Sequence, residues 1–395
     1  MQKHDSHPIV IFLMHFAIIC TIISQIPEFQ AGFRPLMFTF WFAAMVYAIL
    51  GNRSVLINSY IKTFALAMIF ILLHNIIGFF IYQEIAISNY FRVALIPLFI
   101  YFTMFQISGY IKPMQFNGLL INYCISSVFY ALYLYVVYVP SLNDWLATKM
   151  YIYTSKNSAA QIFITAAILL LFFLRGKDLL SNTLRILGSI ILLFLSILLQ
   201  CRAVLVAFAG VVFYIFFIKS NNKQRLWAII TLICLIVIIL SSESLNDFFS
   251  HAFFLDKYEN ADLNTISSGR LEQYEVALSD FAKSPLIGKI SYYVDCMYIS
   301  VYTALGIFGG TAILLPWFKR ISKNFQLLRF AKQNNSSARL EYLVCYLTVF
   351  YLITSIMEGY PPFGPGACSV VFWMICSYLD STYYKPSRKN KTLSS

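Results

Sequence analysis

Three arginines stand out because each sits at the edge of a long apolar run. Arg202 lies in Gln200-Cys201-Arg202-Ala203, Arg270 in Ser268-Gly269-Arg270-Leu271-Glu272-Gln273-Tyr274, and Arg92 at the start of another run. A guanidinium at the dry edge of an apolar bundle calls for an anionic partner, and ionisable residues at such depths are functional candidates by default. The chemistry these positions suit is therefore anion binding at a membrane boundary. The plainer role for Arg270 and Arg92 is to snorkel towards lipid headgroups. Arg270 also falls in the first turn of a predicted helix, where a cation opposes the helix dipole. That placement points to a use other than helix stability.

The elements that must hold these residues are membrane helices. Of the 395 residues 59% are hydrophobic and 12% charged, and the mean hydropathy is +0.72. This composition excludes a soluble enzyme. Runs of about 20 apolar residues suffice to cross a bilayer. Twelve are found, at about 8–26, 35–50, 61–82, 91–108, 118–139, 157–174, 184–200, 203–218, 226–240, 293–315, 341–358 and 364–384. They are too long and continuous for the alternation of a β-barrel. The expected fold is an all-α polytopic integral membrane protein of about twelve transmembrane helices, a single domain over 1–395. With both termini cytoplasmic, 20 of the 29 Lys and Arg residues fall inside and 13 of the 17 Asp and Glu residues outside. The basic excess is thus a topological signal, and no nucleic-acid partner is expected. The first run, long and without a small-x-small cleavage site, reads as a retained helix and not as a signal peptide.

Two connections are long. The segment 319–340 reads as a solvated basic linker on the cytoplasmic side, and 241–291 as a large external loop between helices nine and ten. Within that loop Leu271, Tyr274, Ala277 or Leu278, and Phe281 recur at helical spacing. Ser267 or Ser268 can cap the start and Pro285 closes the end. An amphipathic helix over 269–282 follows. Arg202 has a different setting. A single helix over 184–218 would be about 50 Å long, too long for one span, and positive charge at both far ends argues for a hairpin with Arg202 at its outer tip. The eight cysteines contain no Cys-x-x-Cys pair and read as packing residues, although Cys201 and Cys296 both fall near the outer face.

At these residues the chain resembles the O-antigen polymerase and O-antigen ligase superfamily of bacterial polysaccharide assembly. The Ser-Arg-small element of that family reads here Cys201-Arg202-Ala203. Its external-loop helix reads Arg270, Tyr274, Ala277 and Phe281, followed by Pro285-Leu286-Ile287-Gly288, with Tyr274 in place of the usual Trp. Asp295, Tyr298-Ile299 and Leu305-Gly306-Ile307-Phe308-Gly309 match the elements that follow. Asn157-Ser158-Ala159-Ala160 resembles the Asn-x-x-Ala start of an earlier helix. The resemblance covers roughly the last 240 residues. Ligases typically carry a His where this chain has Asp295, and the loop's only histidine, His251, lies outside the motif. That departure favours a polymerase.

The resemblance implies transfer of a growing glycan from undecaprenyl pyrophosphate onto the next lipid-linked repeat unit, at the outer face of the inner membrane. Pyrophosphate is already a good leaving group, so neither a metal nor another cofactor is required. Arginines grip phosphate oxygens bidentately, which makes Arg202, Arg270 and Arg92 the implied pyrophosphate ligands. Asp295 is the first candidate for the base that takes the acceptor proton, with Glu358, before Gly359-Tyr360-Pro361-Pro362-Phe363-Gly364, as runner-up. Asp295 could equally be a helix-end acceptor of backbone N–H bonds. Tyr274 and Tyr298 are candidates to stack on sugars, or belong to the aromatic belt. His74 reads as a core residue. The implied partners are the lipid-linked oligosaccharide, membrane lipid and a chain-length-regulating protein. A flippase is the rival from another class, but internal repeats expected of a transporter are missing.

Overall fold

The computed structural model describes residues 7–52, 55–83, 89–141, 156–176, 178–219, 223, 226, 241–242, 269–290, 292–333, 339–364 and 368–383. Every regular element among them is helical. In chain order these are α1 (Pro8–Ile23), α2 (Pro27–Asn52), α3 (Ser59–Tyr82), α4 (Asn89–Ile107) and α5 (Pro113–Val137). They continue with α6 (Lys156–Ile168), α7 (Leu179–Leu198), α8 (Arg202–Lys219) and α9 (Arg270–Lys283). The chain ends with α10 (Met297–Gln333), α11 (Arg339–Met357) and α12 (Val370–Tyr383). Eight of the helices are long and apolar enough to cross a membrane, and α1 and α8 are shorter apolar helices. The protein is therefore a multi-pass membrane protein. Eleven of the twelve expected runs carry a helix. The ninth, 226–240, apart from Leu226, and the loop residues 243–268, which include Ser267 and Ser268, lie outside the described residues.

Consecutive helices pack together as α1–α2, α3–α4, α5–α6, α6–α7, α10–α11 and α11–α12, and the centre is built by α3, α4, α10, α11 and α12. Side chains there are fully enclosed, among them Trp317, Trp373 and Tyr351. Large apolar residues such as Phe80, Phe129 and Leu66 point outward, as a helix facing lipid requires. The turn between α7 and α8 is only three residues long, so Arg202 opens α8 at a hairpin tip, as expected.

Two segments differ from expectation. The supposed linker 319–340 is mostly helix, because α10 continues to Gln333. Its buried stretch carries Arg320, which is 0% exposed and donates to Asp380 of α12 at 2.8 and 3.2 Å. Lys323 joins the same carboxylate at 2.6 Å, and the Tyr101 hydroxyl of α4 also donates to it. Arg320 also donates to Asn324 and lies over the Tyr60 ring of α3. A buried charge persists only when paired and hydrogen-bonded, and this network ties four helices together at the end of the bundle away from α9.

The second difference is in the tenth run, read as one span over 293–315. Gly306 has φ 61° and ψ −171°, which breaks α10 into a short first limb and a long second limb. In a straight helix Tyr298 and Trp317 would lie about 28 Å apart at 1.5 Å per residue. Their side chains hydrogen-bond at 3.4 Å, so the limbs fold towards each other about Gly306. The second limb runs along α3, where Tyr60 donates to the Pro316 carbonyl.

Candidate active site at the loop end of the bundle

Helix α9 is seated on the break in α10. The chain enters through Gly269, in the left-handed region at φ 79° and with no side-chain cap; it leaves through Pro285-Leu286-Ile287-Gly288, which docks by its backbone. The Pro285 carbonyl accepts from Ile307 N (2.8 Å), while Lys289 N and Ile290 N donate to the Thr303 and Ala304 carbonyls (3.0 and 2.6 Å). The contact is so close that a Cβ on Gly306 would lie 2.3 Å from Leu286 backbone atoms, and one on Gly288 2.4 Å from Gly306 N. Both glycines also have positive φ, which only glycine adopts at no steric cost. The two glycine motifs are thus two halves of one backbone joint.

This seating selects the inward face of α9. Ala277 is fully buried and its carbonyl accepts from Thr303 Oγ1 at 3.2 Å. Phe281 packs edge-on against Tyr302, and the Tyr274 hydroxyl donates to the Asp295 backbone carbonyl at 2.7 Å. Arg270, Tyr274, Ala277 and Phe281 therefore share a face. Leu271 and Leu278, expected on it, are exposed instead. At the other end, Asp280 is clamped by Lys289 at 2.7 Å and Lys283 at 3.1 Å. Those hydrogen bonds hold its carboxyl below the usual range.

The joint brings Arg270 between two carboxylates. Its Nε is 3.4 Å from Asp295 Oδ2 and its Nη2 3.6 Å from Glu358 Oε1. These are ion pairs without hydrogen-bond geometry, and the Nε is buried with no hydrogen-bond partner. The two carboxylates are not equivalent. Asp295 sits at the mouth, with Tyr293 donating to its Oδ1 at 3.0 Å. Glu358, just past the end of α11, is 5% exposed and accepts from Asn157 Nδ2 of α6 at 3.1 and 3.3 Å. Burial, reinforced by the Asp295 charge and opposed by Arg270, Asn157 and Lys156, pushes the Glu358 carboxyl up to about 7.

Asn157 extends the cluster to the hairpin tip, its Oδ1 accepting from the Cys201 thiol at 3.3 Å, next to Arg202. Cys201 and Cys296 are free thiols. Burial raises the Cys201 thiol to about 12, which suits a packing donor and not a nucleophile. Behind Glu358, Gly359 packs on Tyr293 so closely that a Cβ would lie 2.4 Å from its ring. Tyr90 of α4 donates to the Gly359 carbonyl at 3.2 Å and contacts Ser300. Tyr293, Tyr360 and Tyr90 form an aromatic file beside the acidic pair.

Not every expected residue joins. Tyr298 turns into the bundle, its hydroxyl bonded to Ser355 and Trp317 and its ring stacked on Phe318. Arg92 lines a different groove, between α2 and α4. His74 is buried in α3 beside Gly309. Among the described residues no group of three His, Cys, Asp or Glu side chains converges as a metal-ligand set. Asn157 and Glu358 each carry a motif or site signal in the sequence, but nothing local shows that they meet or that Tyr293 donates to Asp295.

A family model described as O-antigen ligase matches residues 187–293. The match takes in Arg202, Arg270, Tyr274 and the Pro285–Gly288 segment, and it ends just before Asp295. No curated protein matches the chain.

Proposed function

We propose that this chain, a member of the O-antigen polymerase and ligase superfamily, is a polysaccharide polymerase of the bacterial inner membrane. It would transfer the growing glycan from undecaprenyl pyrophosphate onto the next lipid-linked repeat unit, with the α9 end of the bundle facing outward. The observation that carries the reading is Arg270 held between two carboxylates of unequal burial, the deeper one titrating near neutrality.

A base of pKa near the working pH is the best compromise between being deprotonated and being able to take a proton. Glu358 meets that condition, so the base role passes from Asp295 to Glu358. As the acceptor hydroxyl attacks the anomeric carbon of the donor, its oxygen forms the new glycosidic bond and its proton moves to Glu358. The bond from that carbon to the pyrophosphate oxygen breaks, and the electron pair leaves with undecaprenyl pyrophosphate. Arg270, with Arg202 from the hairpin tip, stabilises the charge that develops there. Asp295 orients Arg270 and keeps the Glu358 carboxyl high. The aromatic file of Tyr293 and Tyr360 offers ring faces to the sugars.

The name of the matching model favours one alternative, an O-antigen ligase, in which the acceptor would be a lipid A-core. The described part of the cluster holds no histidine of the kind ligases typically carry. Surface polysaccharide from cells lacking this gene separates the two. A ladder collapsed to core plus a single repeat unit is expected for the polymerase, whereas loss of every attached repeat would overturn that assignment.

A further inference from the structure

A polymerase handles two lipid pyrophosphates at once, because the growing chain and the incoming repeat unit each hang from a carrier. Only the donor's bond to its carrier breaks, and the Arg270 cluster accounts for it. The acceptor's carrier must be held intact, by cations apart from the base and by an apolar channel for its tail.

A second such place lies between α2 and α4. Arg34 and Arg92 flank a groove of about 730 Å³. Phe38 and Phe42 of α2 and Leu95 of α4 line it with their side chains exposed, and Phe99 packs against Phe38 at its floor. Unlike Arg270 and Arg320, neither arginine has an ion pair or hydrogen bond among the described residues. Two unneutralised cations above an apolar trough complement an anionic headgroup on a long hydrocarbon tail.

The groove is also in register with the Arg270 cluster. Tyr90 and Arg92 are two residues apart on α4, so they differ by about 3 Å in height and point to nearly opposite sides of the helix. Tyr90 touches Ser300 and Gly359, beside Glu358. The groove and the Glu358 end of the Arg270 cluster therefore lie on opposite sides of α4 at nearly one depth. The acceptor's reactive hydroxyl belongs to a sugar, not to the pyrophosphate, so the acceptor's carrier belongs beside the reacting bond and not on it.

We propose that the α2–α4 groove holds the acceptor's polyprenyl pyrophosphate, with the diphosphate between Arg34 and Arg92 and the tail along Phe38, Phe42, Leu95 and Phe99. The assignment rests on the polymerase reading. Its test is a count of bound lipid. Full-length protein in phosphatidylcholine nanodiscs is titrated with undecaprenyl pyrophosphate, and native mass spectrometry reads the stoichiometry. Wild type should bind two molecules, and Arg34→Gln/Arg92→Gln and Arg270→Gln one each. Arg34→Lys/Arg92→Lys, which keeps the charge, should bind two, the second more weakly. Both arginines are exposed at the surface, so the variants should fold, and the surviving Arg270 site reports that they have. A wild-type count of one, or a count of two in Arg34→Gln/Arg92→Gln, overturns the groove site. Displacement of the second molecule by equimolar phosphatidylglycerol also overturns it, since the groove would then be a general anionic-lipid contact. If the gel of surface polysaccharide shows a polymerase while the count fails, only the groove assignment falls. A ligase-type gel with two lipids still bound removes the polymerase reading and the acceptor role with it.

Discussion

Replacing Arg270 with glutamine should produce a defect whose size depends on pH. Arg270 Nη2 lies 3.6 Å from Glu358 Oε1. At that separation a unit charge pair interacts by about 1 kcal/mol in water-like surroundings and by about 4–5 kcal/mol at an effective dielectric constant near 20. The guanidinium is 24% exposed at the mouth of the site, so the lower part of that range applies, about 1–2 kcal/mol. That is roughly tenfold in proton affinity. Removing the cation removes a pKa-lowering influence, so the Glu358 carboxyl moves from about 7 up to about 8. At pH 7 about half of the wild-type carboxyl is ionised and about a tenth of the variant's; by pH 9 both are almost fully ionised. Initial rates of polymerisation by purified protein, followed from pH 6 to pH 9, should show the deficit of Arg270→Gln shrinking about fivefold between pH 7 and pH 9. The remainder is the lost contact to pyrophosphate, which does not titrate in this range. A deficit equal at pH 7 and pH 9 would refute the coupling between Arg270 and Glu358.

Glu358→Gln should lower the rate by about 10²–10⁴ and abolish the fall in activity below pH 7; near-wild-type polymer from cells with the variant in their membranes would rule Glu358 out as the base. Asp295→Asn removes a charge that raises the Glu358 carboxyl, so the midpoint of the pH–rate profile should move to lower pH, and an unmoved or higher midpoint counts against the arrangement. Gly306→Ala introduces a Cβ 2.3 Å from Leu286 at a positive φ, a strain on the order of 1–3 kcal/mol. The α9 joint should then open, seen as faster proteolysis at 284–290 with the protein still membrane-inserted; unchanged protection there would show that the joint tolerates the methyl group. Asp380→Ala leaves Arg320 buried without its carboxylate and should cost about 3–5 kcal/mol, measured as a lower melting temperature in detergent. A melting curve like the wild type's would mean the network is dispensable.

The helical class, the hairpin tip at Arg202 and the face of α9 were all legible in the sequence, because each depends on local periodicity or on where charge interrupts an apolar run. Of the inward set, Tyr274, Ala277 and Phe281 lie on the helical repeat, whereas Arg270 was joined to them only by the family resemblance. Where the local pattern offered two faces, as for Leu271 and Leu278, only the docking of α9 on α10 chose between them. Gly306 was recognised as part of a motif, yet nothing local shows that it breaks a helix: its neighbours are as apolar as any span, and the break is stabilised by Pro285 and Gly288, some twenty residues earlier.

Burial and separation were decided by tertiary packing. Arg320 looked like one more cation in a basic linker until the position of Asp380, sixty residues later, allowed it to be enclosed. Asp295 and Glu358 are interchangeable as carboxylates in a sequence. The Glu358 carboxyl is raised to about 7 because packing encloses it and sets the Asp295 charge beside it, against the opposing pull of Arg270 and Asn157. Arg92 and Arg270 share a charge and an expected side of the membrane, but α4 stands between them. Hydropathy records which residues must leave water, and it sets the class of fold. It carries no information about which of two like residues a neighbouring helix will cover, and in this protein that choice separates the enclosed carboxylate of Glu358 from Asp295 at the mouth.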